Sequence, residues 1–219
     1  MPYWRLSGFY LFYFGALGVL VPFWGLYLKD LGFDAIAIGQ LMAIPMATKF
    51  VAPYVWGWIG DHLGHRMLIV RIGSFLTGLI FIGVFFFTEF WPLALAMILF
   101  SFFWNAVLPQ FEAVTFNYLG ESPSHYARVR VWGSIGFIVA VLILGVAVDA
   151  KGTSVILPVL FCVYVAIWLS SLIVSDPDPK PHPAEQGHIL NVVKQPAVLA
   201  FFAACFLLQG GHGAYYAFY

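Results

Sequence analysis

Residues 57–66 read GWIGDHLGHR, a polar stretch with three glycines between two long apolar runs. These runs cover about 37–59 and 67–88, and each has roughly the 20 mainly apolar residues that a membrane-spanning helix needs. Glycine permits close packing and unusual backbone angles. The stretch therefore predicts a short, sharp turn between two spans, with Asp61 and Arg66 held at the membrane face.

The composition of the whole chain indicates the same environment. Of its 219 residues, 62% are hydrophobic and only 9% are charged, whereas a soluble domain carries about 25% charged residues. A mean hydropathy of +0.91 cannot be hidden in one water-soluble core. The net charge of zero gives no reason to expect a nucleic-acid partner, and the two cysteines are too few for a disulfide framework. We therefore expect an all-α, polytopic membrane protein without a metal ion or other cofactor.

The apolar runs divide the chain into a block, a linker and a last span. The predicted spans are about 6–28, 37–59, 67–88, 92–118, 131–149, 154–174 and 197–219. Six of them form a block over 1–174, a proline-rich polar linker follows over 175–196, and the seventh span covers 197–219. Basic residues collect on the cytoplasmic side of cell membranes, and that side would carry Arg5, Arg66, Arg71, Arg128, Arg130, Lys180 and Lys194. The other side carries only Lys29 and Lys151, which predicts a cytoplasmic N-terminus in a cell (inner) membrane.

The opening stretch resembles the loop between helices 2 and 3 of the major facilitator superfamily. That family's pattern is G-x-x-x-D-[RK]-x-G-[RK]-[RK], and the chain matches it at Gly57, Asp61, Gly64 and Arg66. It departs at the two histidines of the stretch, which weakens the positive charge of the loop. The resemblance implies the six-helix N-terminal half of a transporter plus a seventh helix, and a gating latch between the two halves of such a protein.

Lys49 and Glu112 lie well inside predicted spans and Arg130 directly precedes the fifth, and these three are the candidates for functional charges in the membrane. Each costs at least about 2.5–3.5 kcal/mol near the centre of a span, so such residues usually face the bundle interior and mark a substrate or ion path. Asn105 lies seven residues before Glu112 and shares its helix face, whereas Gln110 lies off that face. Arg130 opens the fifth span, where its side chain has the alternative of reaching the interface.

The stretch from Arg128 to Phe137 resembles the start of helix 5 in the branch of oligosaccharide and phenylpropionate symporters. In lactose-permease-like members, a helix-4 glutamate and a helix-5 arginine bind substrate, and their spacing is that of Glu112 and Arg130. A tryptophan that stacks on the sugar is replaced here by Phe137. The resemblance therefore implies substrate contacts from Glu112, Arg130 and Phe137, with Lys49 and Asn105 as further candidates, and favours an aromatic acid such as phenylpropionate.

The resemblance implies proton symport of a small organic solute by alternating access, in which two halves rock around a central site. A nucleoside or an oligosaccharide is the alternative substrate. The chain covers only the first half of such a transporter and one further helix, so we expect a missing C-terminal half, and an inactive truncated half is another alternative. A retinal protein is disfavoured because 197–219 has no lysine. An enzyme is disfavoured because Asp61 stands alone and two histidines lack a third ligand.

Overall fold

The computed structural model describes residues 2–120, 124–176 and 193–218, which are helical apart from short connections. The α-helices are α1 (Tyr3–Asp30), α2 (Ala35–Leu63), α3 (Arg66–Phe81), α4 (Phe90–Leu119), α5 (Ser124–Lys151), α6 (Ile156–Ile173) and α7 (Pro196–Phe218). A 3₁₀ turn, Ile82–Phe85, continues α3, and another, Thr153–Val155, precedes α6. The described ranges contain no strand, so the predicted all-α class is confirmed.

Six helices of the described chain, α1 to α6, are long and apolar enough to cross a membrane. The predicted polytopic membrane fold is therefore confirmed. These helices lie in a compact unit that comprises residues 1–179, and α7 lies in a second unit that comprises residues 180–219. Residues 177–192 of the predicted linker, which include Lys180, lie outside the described residues.

Aromatic side chains join α1 and α4 in the middle of the first unit. Around them, α1 packs against α5 and α6, α3 packs against α4 and α6, and α2 packs against α4. The Phe9 ring stacks on Phe111 with centroids 3.7 Å apart, and Tyr13 stacks on Trp104 at 5.4 Å. Stacked aromatic pairs add to the stabilisation that their buried area provides. This aromatic layer lies between α1 and α4.

Glycines bring the backbones of α1 and α5 into direct contact. A Cβ atom at Gly136 would overlap the carbonyl group of Leu11, and one at Gly18 would lie 2.6 Å from the Phe137 carbonyl oxygen. Small residues at helix interfaces allow this close approach in a membrane, where association depends on packing. The contact fixes α5 against α1 two turns beyond Arg130, and thereby sets where Arg130 meets its neighbours.

Two predicted boundaries are wrong. Helix α2 continues through most of GWIGDHLGHR, and only Gly64 and His65 lie between α2 and α3. The helix ends because Gly64 takes a left-handed conformation with φ 68°, while its N–H donates to the Gly60 carbonyl at 3.1 Å. Helix α5 begins at Ser124, so Arg130 is its seventh residue and does not open the helix. In both cases the helix extends past the apolar run that revealed it.

Candidate functional site

Glu112 on α4 and Arg130 on α5 lie together inside the membrane-spanning bundle. Arg130 Nε is 4.0 Å from Glu112 Oε1, and the two side chains are 30% and 33% exposed. The Tyr126 hydroxyl donates to the same carboxylate oxygen at 3.1 Å. The carboxylate therefore has a hydrogen-bond donor and a positive charge on one side, both supplied by α5.

Tyr126 owes its position to the early start of α5. It lies four residues before Arg130, one helical turn away, so both side chains lie on the same face of the helix. Its ring stacks on Phe116 of α4, with centroids 4.7 Å apart and an interplanar angle of 19°. The stack and the hydrogen bond together fix the Tyr126 hydroxyl at the carboxylate.

Aromatic rings from α1 surround the guanidinium group. Arg130 Cζ lies 3.7 Å from the centroid of the Phe14 ring and 5.6 Å from that of Tyr10. A guanidinium group over an aromatic face is attracted by the ring quadrupole, more strongly where water is scarce. Gly133 makes room for this stack, because a Cβ atom there would lie 2.7 Å from Phe14 Cδ2 and 2.8 Å from Arg130 Nη1.

The other predicted ligands lie apart from this pair. Asn105 is 9% exposed, and its amide nitrogen donates to the Pro45 carbonyl at 3.1 Å and to Thr48 Oγ1 at 2.9 Å. The amide thus joins α4 to α2. Lys49 is exposed, and Phe137 is half-buried two turns beyond Arg130. Within the described ranges, no hydrogen bond or ion pair joins these three to Glu112 or Arg130, so their binding roles stay predictions.

A second polar cluster surrounds Arg66 at the end of α2. Arg66 Nη2 donates to Asp61 Oδ1 at 2.6 Å, and Arg66 Nη1 donates to Gln110 Oε1 at 3.0 Å. The amide nitrogen of Gln110 donates in turn to the Trp56 carbonyl at 3.0 Å. Gly60 is needed for this contact because a Cβ there would lie 2.6 Å from Gln110 Oε1. Gln110 therefore connects the backbone of α2 to the first residue of α3.

Of the predicted gating residues, Gly64 provides the left-handed end of α2. A Cβ atom added at Gly57 would have no described atom within 4 Å, so no close contact requires a glycine there. Asp61 keeps 65% of its side chain exposed while it pairs with Arg66. Beside this cluster, Asp176 accepts a hydrogen bond at 3.2 Å from the backbone N–H of Met67 in the first turn of α3. A carboxylate at a helix N-terminus is stabilised by the helix dipole.

The chain resembles known proteins along its whole length. A family model described as "MFS_1 like family" matches residues 3–219. The chain belongs to this family. The predicted membership of the major facilitator superfamily is thereby confirmed.

Individual proteins that the chain is similar to give more detail. The "Probable 3-phenylpropionic acid transporter" of Escherichia coli K12 is 28% identical over 226 residues, which cover 98% of this chain and 57% of that protein. The "Maltose permease" of Geobacillus stearothermophilus is 26% identical over 138 residues, covering 63% of this chain and 35% of that protein. A crystal structure of a mutant nucleoside transporter NupG shares the fold, with a TM-score of 0.75 and 20% identity over 94% of this chain and 51% of that one.

The chain thus spans about half the length of the phenylpropionic acid transporter and of NupG. Sequence reasoning does not single out Tyr126 or Phe14 as site residues, and it names Gln110 only as lying off the face of Glu112. The spacing of Tyr126 to Arg130 carries a signal, because residues four apart face each other on a helix. Phe14 carries none, since it is one of 23 phenylalanines in the chain.

Proposed function

We propose that this chain forms the N-terminal half of a secondary active transporter that carries a small organic acid together with a proton. The observation that carries the proposal is the Glu112–Arg130 pair, with side chains 4.0 Å apart and about two-thirds buried inside a membrane-spanning bundle. Ionisable residues in spans are costly and mark substrate or proton paths. Membership of a transporter family and the phenylpropionic acid transporter at 28% identity support the same activity.

An aromatic acid is the substrate class that the surroundings of the pair favour. Arg130 stacks on Phe14, and Tyr126 stacks on Phe116, so the charged groups lie among aromatic faces that suit an aromatic ring. Phe137, two turns along α5, is a further aromatic candidate for contact with the substrate. An oligosaccharide is the second candidate, supported by the maltose permease at 26% identity, and a nucleoside is the third.

Protonation of Glu112 is the step that couples transport to a proton gradient. Tyr126 and Arg130 both approach Oε1, while Oε2 makes no hydrogen bond within the described ranges and is the oxygen that takes the proton. Once neutral, the carboxylic acid no longer attracts the guanidinium of Arg130. A change of charge in a low-dielectric site shifts the balance between two conformations, which is what alternating access requires.

The cluster around Arg66 acts as the gating latch on the cytoplasmic side of the inner membrane, with the N-terminus on that side. Asp61 is two-thirds exposed while it pairs with Arg66, so its carboxylate is accessible to a helix of the C-terminal half. A contact of this kind forms in one state and breaks in the other. Gln110 keeps Arg66 in place when the latch opens.

Uptake of labelled 3-phenylpropionate into right-side-out membrane vesicles tests the function. The vesicles come from cells that express the gene carrying this sequence, and a proton gradient is imposed. We expect accumulation in the wild type, its loss in Glu112→Gln, and wild-type accumulation in Glu89→Gln, a matched change of an exposed glutamate. Failure of the wild type to accumulate the acid, or undiminished accumulation in Glu112→Gln, would overturn the proposal.

A further inference from the structure

Lys49 is a positive charge at the midpoint of a membrane-spanning helix. It lies fourteen residues from either end of α2, which is about 21 Å at the rise of an α-helix. Because the hydrocarbon core is about 30 Å thick, even its half-thickness of about 15 Å exceeds the reach of a lysine side chain that snorkels to the interface. The neighbouring side chains of Met46 and Phe50 are 59% and 78% exposed. Lys49 therefore needs water, an anion or a partner protein at its face of α2.

The charges of the spans leave Lys49 unbalanced. Glu112 and Arg130 compensate each other at 4.0 Å, whereas Lys49 forms no ion pair within the described ranges. These three residues together carry one net positive charge within the membrane-spanning segments, and Lys49 lies on an exposed face of α2. A site with surplus positive charge attracts an anion and disfavours a cation of the same shape.

Lys49 is also separated from the Glu112–Arg130 pair along the membrane normal. The hydrogen bonds from Asn105 to the Pro45 carbonyl and to Thr48 Oγ1 put Asn105 level with the turn of α2 that contains Lys49. Glu112 lies seven residues farther along α4, which is about 10 Å. Lys49 and the Glu112–Arg130 pair thus lie at different depths, the first as a single cation and the second as a neutral pair.

We infer that Lys49 binds the carboxylate of the substrate, and that the Glu112–Arg130 pair is reserved for the proton and for the aromatic end of the molecule. The inference rests on the proposed function, because it assigns the two ends of an aromatic acid within the same transporter. An ammonium group that binds a carboxylate forms a charge-assisted hydrogen bond, which is stronger than a neutral one. The division leaves Glu112 free to take up a proton while the substrate is bound.

Binding of charged and neutral analogues tests the assignment. Membranes containing the protein are incubated with labelled 3-phenylpropionate, with its uncharged amide and with 3-phenylpropylamine. We expect Lys49→Gln to weaken carboxylate binding by about ten- to a hundredfold, the range of a charged hydrogen bond, with amide binding unchanged. Lys49→Arg keeps the carboxylate preference, and Lys49→Glu reverses it in favour of the amine. Lys29→Gln, at an exposed helix end, is the matched control without effect.

The outcomes separate this inference from the proposed function. If Lys49→Gln weakened the binding of 3-phenylpropionate and of its amide equally, the inference would be overturned. Lys49 would then act on the protein, as the partner of a protein carboxylate, and not on the charge of the ligand. Unchanged binding in Lys49→Gln with loss of the carboxylate preference in Arg130→Gln would also overturn it, while the proposed function would stand. A wild-type protein that binds none of the three compounds would overturn the proposed function itself.

Discussion

Replacing Gly60 with alanine tests the contact between α2 and the Gln110 amide. A Cβ atom at position 60 would lie 2.6 Å from Gln110 Oε1, so the amide must move away from its partners. Its hydrogen bonds to Arg66 and to the Trp56 carbonyl are each 3.0 Å long. A hydrogen bond to a charged group contributes about 1.5–3 kcal/mol and a neutral one about 1 kcal/mol, while alanine regains up to about 1 kcal/mol of helix propensity. Loss of both hydrogen bonds, less the regained helix propensity, gives an expected net loss of about 1.5–4 kcal/mol.

Thermal unfolding of the purified 219-residue chain in detergent, followed by tryptophan fluorescence, measures this effect. Gly57→Ala is the matched control, since a Cβ at position 57 meets nothing within 4 Å, and its Tm stays the same or rises. In a Gln110→Ala background, Gly60→Ala no longer lowers Tm because the clashing atoms are gone. Equal Tm changes for Gly57→Ala and Gly60→Ala in the wild-type background would refute the reasoning.

Three further substitutions test the packing of the bundle. Gly64→Ala lowers Tm by forcing a Cβ into the left-handed conformation at φ 68°, a cost of about 1 kcal/mol; an unchanged Tm would contradict the left-handed helix end. Gly136→Leu pushes α5 off the Leu11 carbonyl and lowers the yield of monodisperse protein in size-exclusion chromatography, and a normal yield would contradict the contact. The Arg71 guanidinium donates to the Val174 carbonyl at 2.7 Å and so caps the end of α6. Arg71→Gln removes this donor and speeds hydrogen exchange in the last turn of α6, and unchanged exchange would contradict the cap.

The sequence predicts the spans well because the bilayer imposes a long apolar run on each of them. Helix ends are harder, since a helix continues into the interface where polar residues are tolerated. The polar stretch before residue 131 hides the first seven residues of α5, and the glycines of GWIGDHLGHR hide the end of α2. Only Gly64, with its positive φ, acts there as a helix terminator.

Sequence alone predicts those site residues whose type is uncommon in a membrane-spanning segment. Glu112 and Arg130 stand out because charge is scarce in spans, and their pairing agrees with the geometry. Tyr126 and Phe14 do not stand out in a chain with 19% aromatic residues. Gln110 lies off the face of Glu112 and therefore does not stand out, yet it serves the end of α2 through Arg66, which is 44 residues away in the sequence.

The accessibility of position 112 to water tests the central claim most directly. The two native cysteines, Cys162 and Cys205, are exposed and are first replaced by serine. A single cysteine is then introduced in place of Glu112 or, in a second variant, in place of Leu99 on the same helix. Both native residues are partly exposed, with 33% of the Glu112 side chain and 42% of the whole Leu99 residue accessible, so a difference in labelling reports the medium at each position. Lipid excludes both the thiolate and a charged thiol reagent. We predict rapid modification of Cys at position 112 and none at position 99; equal resistance at both positions would mean that Glu112 faces lipid, and would contradict the transport site.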